Sequence, residues 1–513
     1  MVFPCLSRLW PVLLEVSIRN PIIPERHRES HTRIDFPFSL PTHWGTYRNV
    51  NFLRGDACIP GHRPESPDFW CDMPNAIFYL TYNGIYNFTN GIGTQTQLLL
   101  RGLERLQPAL ERQYGPIPLH VVCPRPDDTT WGYDPQFLQT QQQRLAALGG
   151  QLHFIPYKSR PEDDLWDVAR WHTLCAEAAQ LLLQQCTKYD HCLVIPIDQP
   201  WLQTPLYMAR LAPDVFQRVQ ALLVLYSTAF IRNATAPDAE EMRWERDGLA
   251  LACSAANVAI ADLCPSFTAH LQDFYPLQEA TFAPYTSSIL VEDTEFALLA
   301  ERQVRATLQH YGVPCDRDLV VAFGRATPLK GFETLIAALS AVRERCHLVL
   351  ISVPYINDDY QNTYDHLLAA HRIAATHVKS FTRELPKALC QWPRTRIVVV
   401  PSRQETFSNI PLEVALWARQ QGPIVAASHV GGFVDQIEDG VTGFFIDPLS
   451  CETMGQTLQQ ILNLSEEQRA SIRRRAYEKV VRLYDFEQNF PATLRWFWRT
   501  HTPRTAATGG TQA

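Results

Sequence analysis

Short apolar runs punctuate this chain at regular intervals, and between most of them the apolar positions change to a helical spacing. Runs at 76–82, 119–123, 152–156, 193–197, 221–226 and 281–289 read as strands, as do those at 319–323, 347–353, 396–400 and 424–427 further on. Most are continuous rather than alternating, the form taken by strands buried on both faces of a parallel sheet. Between them Leu98, Leu99, Leu103 and Leu106 recur as on one face of a helix, 163–185 reads as a long helix, and 465–483 as a charged amphipathic one. Strand and helix in alternation predict an α/β chain with doubly wound parallel sheets. A chain of 513 residues is too long for one hydrophobic core, so at least two domains are expected. Residues 1–75, rich in Pro, Arg, His and Trp, show no sustained period and read as an irregular extension, and 502–513 as a disordered tail.

The densest chemistry lies between 398 and 448. The strand at 396–400 ends at Pro401-Ser402, a polar loop carries Glu405, and the next helix holds Glu413 about one turn from its start. Loop amides and a helix N-terminus offer unpaired N–H groups and the positive end of the dipole to an anion, which suits a diphosphate. Glu413 is placed to accept hydrogen bonds from a ribose hydroxyl pair, and Glu405 to meet sugar hydroxyls. Phe407, Ser408, Asn409 and Ile410 form the turn between the two acids, and Gly431-Gly432 and Asp439-Gly440 punctuate the residues after the helix. In the loop 324–331, Arg325 and Lys330 stand five apart after a strand and before a helix, two fixed cations where phosphates would lie.

Pro401-Ser402, the E-x7-E pair Glu405 and Glu413, Gly431-Gly432 and Asp439-Gly440-Val441-Thr442-Gly443 resemble the donor-binding half of retaining GT-B glycosyltransferases of family 4. The resemblance implies GT-B architecture: two Rossmann-like doubly wound domains facing a central cleft. It divides the chain into an acceptor domain at 76–290, a linker at 291–316, a nucleotide-sugar donor domain at 317–484 and a helix at 485–501 that crosses back to the first domain. Where the family has GGxG after its first strand, this chain has Asn90-Gly91-Ile92-Gly93, with Gly91 and Gly93 free to take positive φ and Thr94 opening the helix. Ser408 stands where the family most often has glycine. Asp198, with Trp201 after it, is similar to an acceptor-side His-Asp-Trp segment whose histidine is Ile197 here. Asp198 reads equally as a contact to the acceptor or the reacting sugar and as a strand-end acid capping the next turn. Phe230 occupies the place of a second family histidine.

The implied activity is transfer of a hexosyl group from a nucleotide-diphosphate sugar, a co-substrate, to an acceptor hydroxyl of unknown identity, with retention of anomeric configuration and a phosphate oxygen taking the acceptor's proton. No Asp-x-Asp pair follows a strand to hold a divalent ion, so the departing diphosphate is expected to be stabilised by Arg325, Lys330 and helix-terminal amides, without a metal or other cofactor. A nucleotide-sugar epimerase and a catalytically silent sugar-nucleotide-binding protein are the competing readings.

Composition narrows the partners. A net charge of −7 gives no basic footprint for nucleic acid. Thirteen cysteines, an odd number without CxxC or zinc spacing, argue for a reducing compartment. The N-terminus shows no secretory signal and no run approaches the ~18 apolar residues of a membrane span. Cytoplasmic residence is the expectation, with peripheral contact to a membrane surface left open.

Overall fold

The computed structural model describes residues 75–87, 91–126, 130, 132–158, 167–233, 236–354 and 360–500. The irregular extension expected at 1–75 lies outside them except for its last residue, as do Asn90 and the tail expected at 502–513.

The apolar runs form two parallel sheets. The first takes β1 Asn75–Leu80, β2 Leu119–Arg125, β3 Leu152–Lys158, β4 His191–Pro196, β5 Val219–Leu223, β6 Val258–Asp262 and β7 Phe282–Pro284 in the order 3-2-1-4-5-6-7. The second takes β8 Asp318–Arg325, β9 Cys346–Val353, β10 Ala375–Val378, β11 Thr395–Val400, β12 Ile424–Ser428 and β13 Phe444–Ile446 in the order 10-9-8-11-12-13. Every ladder is parallel, with β1 in register against β4 from Asn75↔His191 to Leu80↔Pro196. Strands buried along nearly their whole length, such as β5, need cover on both faces, and the intervening helices supply it. Both sheets are thus Rossmann-like, as expected. In each, the strand order reverses at one point, between β1 and β4 in the first and between β8 and β11 in the second. Loops leaving the carboxyl ends of such neighbouring strands part to opposite faces and leave a crevice.

The helix Phe486–Thr500 comes after the second sheet in sequence but packs on the first core. Phe486, Phe490, Leu494 and Phe497 recur at helical spacing and are all buried there. At about 1.5–3 kcal/mol each, they contribute roughly 6–12 kcal/mol before the cost of ordering the chain. Gly102 makes room for the first of them, since a Cβ there would stand 2.2 Å from the Phe486 ring. The described residues of both sheets and this helix belong to one compact unit.

Several elements differ from the sequence expectation. The linker region contains a helix, Glu301–His310, held by buried Val304 and Leu308. Strands β10 and β13 carry too little pattern to read, being short edge strands of four and three residues. Of the run 281–289 only three residues pair in the first sheet. Ile289 instead bridges Asp485, at the root of the returning helix. The long helix is seen from Val168, capped by the Asp167 side chain, and residues 163–166 of the expected helix lie outside the described residues.

Candidate functional site

The two reversal points carry the candidate chemistry. In the second sheet, the loop after β8 and the loop after β11 are pressed together. Gly331 takes φ 65°, and a Cβ on it would lie 2.2 Å from the Pro401 carbonyl oxygen. The Arg403 N–H donates across the gap to the Leu329 carbonyl at 2.8 Å. This contact places Lys330 Nζ 2.7 Å from Glu405 Oε2 and 3.5 Å from Ser402 Oγ, so the two loops meet in an ion pair. Both side chains are more than four-fifths buried. The Glu405 loop is braced from behind. Gly431, at φ 48°, would put a Cβ 1.6 Å from the Glu405 carbonyl oxygen, and Gly432 N–H donates to the Thr406 carbonyl at 2.9 Å. The glycine pair is therefore required by close approach of backbone. Thr406 is buried there, and its hydroxyl finds no partner among the described residues.

Glu413 lies in the helix Ile410–Trp417, half-buried. Burial pushes its pKa up to about 7, with Arg383 pulling it down and Glu295 up. The acids of the pair thus stand in different electrostatic settings: Glu405 is in contact with Lys330, whereas Glu413 feels Arg383 and Glu295 and its own burial. The helix start is less generous to an anion than its position suggests, because Ile410 N–H is drawn to Ser408 Oγ at 3.3 Å and Pro411 has no N–H. Arg325, the last residue of β8, is exposed.

In the first sheet, the loops after β1 and β4 bring together Tyr82 and Asp198. Asp198 is 3% exposed and takes φ 67°, a left-handed conformation uncommon outside glycine. Strain of this kind gathers at functional positions. Its carboxylate accepts from Tyr82 Oη and from Tyr226 N–H, both at 3.2 Å. Burial pushes its pKa up to about 6, while the Arg232 guanidinium pulls it down. It makes no side-chain cap to the turn after it, so the capping alternative is not what the structure shows.

Two residues in this half carry no signal in the sequence. Glu245, fully buried, accepts from Gln199 Nε2 at 3.0 Å, from Ala229 N–H at 2.9 Å and from the Tyr275 hydroxyl, tying the loop after β4 to the loop after β5. His270 meets Thr228 Oγ1 at 3.0 Å, two residues from Phe230. No local motif marks either one, since each acts on a loop distant in sequence.

The glycine loop after β1 differs from expectation. The helix begins at Gly91, before Thr94, so Gly91, Gly93 and Thr94 form its first turn. Neither Gly91 nor Gly93 has positive φ. The left-handed glycine is Gly84, φ 88°, where a Cβ would stand 2.7 Å from the Gly93 carbonyl oxygen.

The two reversal points face one another. Gln95 Nε2 donates to Asn409 Oδ1 at 3.3 Å, Phe407 packs against the cores of both sheets, and Arg325 acts electrostatically on Tyr82. Ser266 N–H and hydroxyl both donate to Asp435, at 3.0 and 2.6 Å.

Residues 305–479 match the family Glycosyl transferases group 1. Among curated relatives, a D-inositol 3-phosphate glycosyltransferase of Corynebacterium glutamicum (strain R) is 24% identical over 259 residues, 48% of this chain and 60% of that one. Another, from Actinosynnema mirum, is 34% identical over 139 residues, 25% of this chain and 32% of its own. The chain thus spans three-fifths or less of these relatives. Among solved structures, sucrose-phosphate synthase from Thermosynechococcus elongatus aligns with TM-score 0.61 at 16% identity, over 83% of this chain and 98% of that one. HepE from Anabaena in complex with UDP-glucose aligns with TM-score 0.56 at 16% identity, over 82% and 99%. These likenesses extend across both sheets and show the fold. Among the described residues no helix is long and apolar enough to cross a membrane.

Proposed function

We propose that the chain is a retaining, metal-independent glycosyltransferase that moves a hexosyl group from a nucleotide-diphosphate sugar to an acceptor hydroxyl. The observation that carries this is the Lys330–Glu405 pair at the β8/β11 reversal point, opposite the Tyr82–Asp198 pair of the first sheet. The family match over the second half and the UDP-glucose named for the HepE structure support the donor class.

Lys330 and Glu405 neutralise each other across the two loops. A donor diphosphate competes for the ammonium group, and Glu405, released from it, becomes an acceptor for hydroxyls of the sugar. Arg325, at the open end of β8, adds a second cation to the same phosphates. As the bond from the anomeric carbon to the diphosphate breaks, charge accumulates on phosphate oxygens that fixed cations already face, and this preorganisation lowers the barrier. The acceptor attacks from the face that the leaving group vacates, and its proton passes to a phosphate oxygen. Glu413 holds the ribose hydroxyls. Asp198 and Tyr82 approach from the first half and line the sugar side of the cleft.

The test is a panel of UDP-, GDP- and ADP-sugars with a broad set of acceptor alcohols, scored for nucleotide release and product anomer by NMR. Release in step with an acceptor, unchanged by EDTA and with retained configuration, is expected. Interconversion of sugars without an acceptor identifies an epimerase. Binding without turnover for every pair identifies a silent protein. Loss of activity with EDTA and recovery with Mg²⁺ or Mn²⁺ defeats metal independence.

A further inference from the structure

A row of charges runs from the first half through the linker to Glu413. It begins with Arg101, on the helix Gly91–Tyr114, whose Nη1 pairs with Asp293 Oδ2 at 2.7 Å and lies 3.9 Å from Glu295 Oε2. Asp293 and Glu295 belong to the linker, at the single helical turn Thr294–Phe296. Glu295 Oε1 in turn pairs with Arg383 Nη2 at 2.7 Å, and Arg383 precedes the helix Glu384–Cys390 of the second half. Arg383 and Glu295 both act on Glu413, with opposite signs. One guanidinium thus serves two carboxylates, Glu295 by direct contact and Glu413 through its field.

The linker turn is fixed to the helix that carries Glu413. Trp417 Nε1 donates to the Glu295 carbonyl at 3.3 Å, Arg419 Nη1 donates to the Phe296 carbonyl at 2.8 Å, and the rings of Phe296 and Trp417 lie 5.8 Å apart. The backbone therefore keeps Glu295 in place beside that helix whatever its side chain carries. Two further groups face these acids: Lys387 is within electrostatic reach of Glu295 and Asp293, and Cys390, a thiol that burial holds protonated, is within reach of Glu413. The charge on Glu413 matters because an ionised carboxylate only accepts and can take both protons of a vicinal diol, whereas the protonated form spends one oxygen as a donor. Burial raises Glu413 to about 7, so it changes form across neutral pH, where a neighbouring charge has the most leverage.

We propose that Glu295 and Arg383 are positioning residues for the nucleotide: by holding Arg383, Glu295 governs how readily Glu413 adopts the ionised form that receives a ribose diol. This role presupposes that Glu413 holds the ribose of the donor, as proposed above, and adds to it a control seated in the linker. Arg101 extends the control to the first half. With Arg101 in place, Glu295 divides its charge between two guanidinium groups; without it, Glu295 draws more on Arg383, and Glu413 keeps less of its counter-charge.

Calorimetry on the full chain with UDP, GDP and ADP from pH 5.5 to 9 tests this, each variant being compared with the same variant carrying Glu413→Gln so that titration of the diphosphate itself cancels. For the nucleotide that binds, the advantage of the unmodified chain over Glu413→Gln rises from near parity at the acid end to roughly tenfold at the alkaline end, with its midpoint at about 7. Glu295→Gln moves the midpoint down and binds about threefold more tightly than the unmodified chain at pH 6, with no difference at pH 9. Arg383→Gln and Arg101→Gln move it up, and Arg383→Gln binds about threefold more weakly at pH 7. A contact that merely held the fold would change affinity by one factor at every pH. Midpoints that stay together in the Glu295 and Arg383 variants overturn the positioning role while leaving the donor site standing, as does an advantage that does not change with pH. An unmodified chain that binds no nucleotide, or binds no better than Glu413→Gln at any pH, overturns the ribose assignment and this role with it. Should Glu295→Gln fail to fold, Arg383→Gln decides alone.

Discussion

The two sheets reverse strand order in the same way, yet their reversal points are chemically opposite. At β1/β4 the polar groups are spent on one another: Asp198 is 3% exposed and bonded to Tyr82 and Tyr226, while Glu245 underneath takes three donors. At β8/β11 the charges remain within reach of solvent, with Lys330 and Glu405 each nearly a fifth exposed and Arg325 open. A crevice of satisfied hydrogen bonds offers shape, whereas one of exchangeable ion pairs offers charge to an incoming anion. Topology supplies both crevices, and side chains decide which one a phosphate prefers.

The largest effect expected from this difference is on turnover. Lys330→Ala should lower kcat/KM about 10²–10³-fold, the ~2.7–4 kcal/mol of one preorganised donor, with the melting temperature little changed. Tyr82→Phe, at the opposite crevice, should cost about tenfold, near 1.5 kcal/mol, the low end for a hydrogen bond to a carboxylate, because Asp198 keeps the Tyr226 N–H. Equal losses in steady-state kinetics would erase the distinction.

Next comes backbone approach, where the halves should agree. Gly431→Ala and Gly84→Ala each force a Cβ into backbone at positive φ and should destabilise by about 2–4 kcal/mol in denaturant titrations. Gly440, at φ 69° but with nothing within 4 Å of the added atom, should cost only about 1 kcal/mol when made alanine. A Gly440 variant as damaged as the Gly431 one would show that φ, not close approach, sets the penalty.

The two acids of the second half should separate by calorimetry with a nucleoside diphosphate. Glu413→Gln should weaken binding roughly tenfold, about 1.4 kcal/mol. Glu405→Gln should leave it unchanged or slightly tighter, because Lys330 is freed from its partner, while still reducing turnover. Weaker binding in the Glu405 variant contradicts the exchange of Lys330 between carboxylate and phosphate.

The smallest effect concerns the buried acid of the first half. Asp198 in the folded chain titrates near 6, above its usual 3.8. The folded state therefore binds the proton more tightly, so this residue's contribution to stability is greatest below about pH 4 and is lost as pH rises toward 6. Asp198→Asn should raise stability at pH 7 by about 1 kcal/mol while lowering activity. A variant less stable at pH 7 means that the hydrogen bonds outweigh the cost of burying the charge.

The candidate site of the second half was legible because its determinants are local. Gly431 and Gly432 read as motif residues, and the structure gives the cause, a backbone contact that admits no Cβ. The division of the chain into two strand groups was equally plain, since continuous apolar runs mark strands covered on both faces. Legibility failed where an element is short or partly polar, as in β10, and where a residue serves a remote loop. Glu245 and His270 carry no local signal, and only folding brings them to the loops after β4 and β5. Gly91 and Gly93 misled in the other direction: glycines before a helix suggest a loop, but here they are its first turn, and the tight bend is at Gly84.

The sequence by itself determined the α/β class and two sheets, and nominated Arg325, Lys330, Glu405 and Glu413 as candidates, because periodicity and motif spacing act over a few residues. Only the tertiary structure decided that Lys330 and Glu405, 75 positions apart, neutralise each other, and that Asp198 is strained and nearly sealed. Those outcomes depend on burial and on which loops meet. Both are set by how strands are ordered across a sheet, a long-range property that no local pattern encodes.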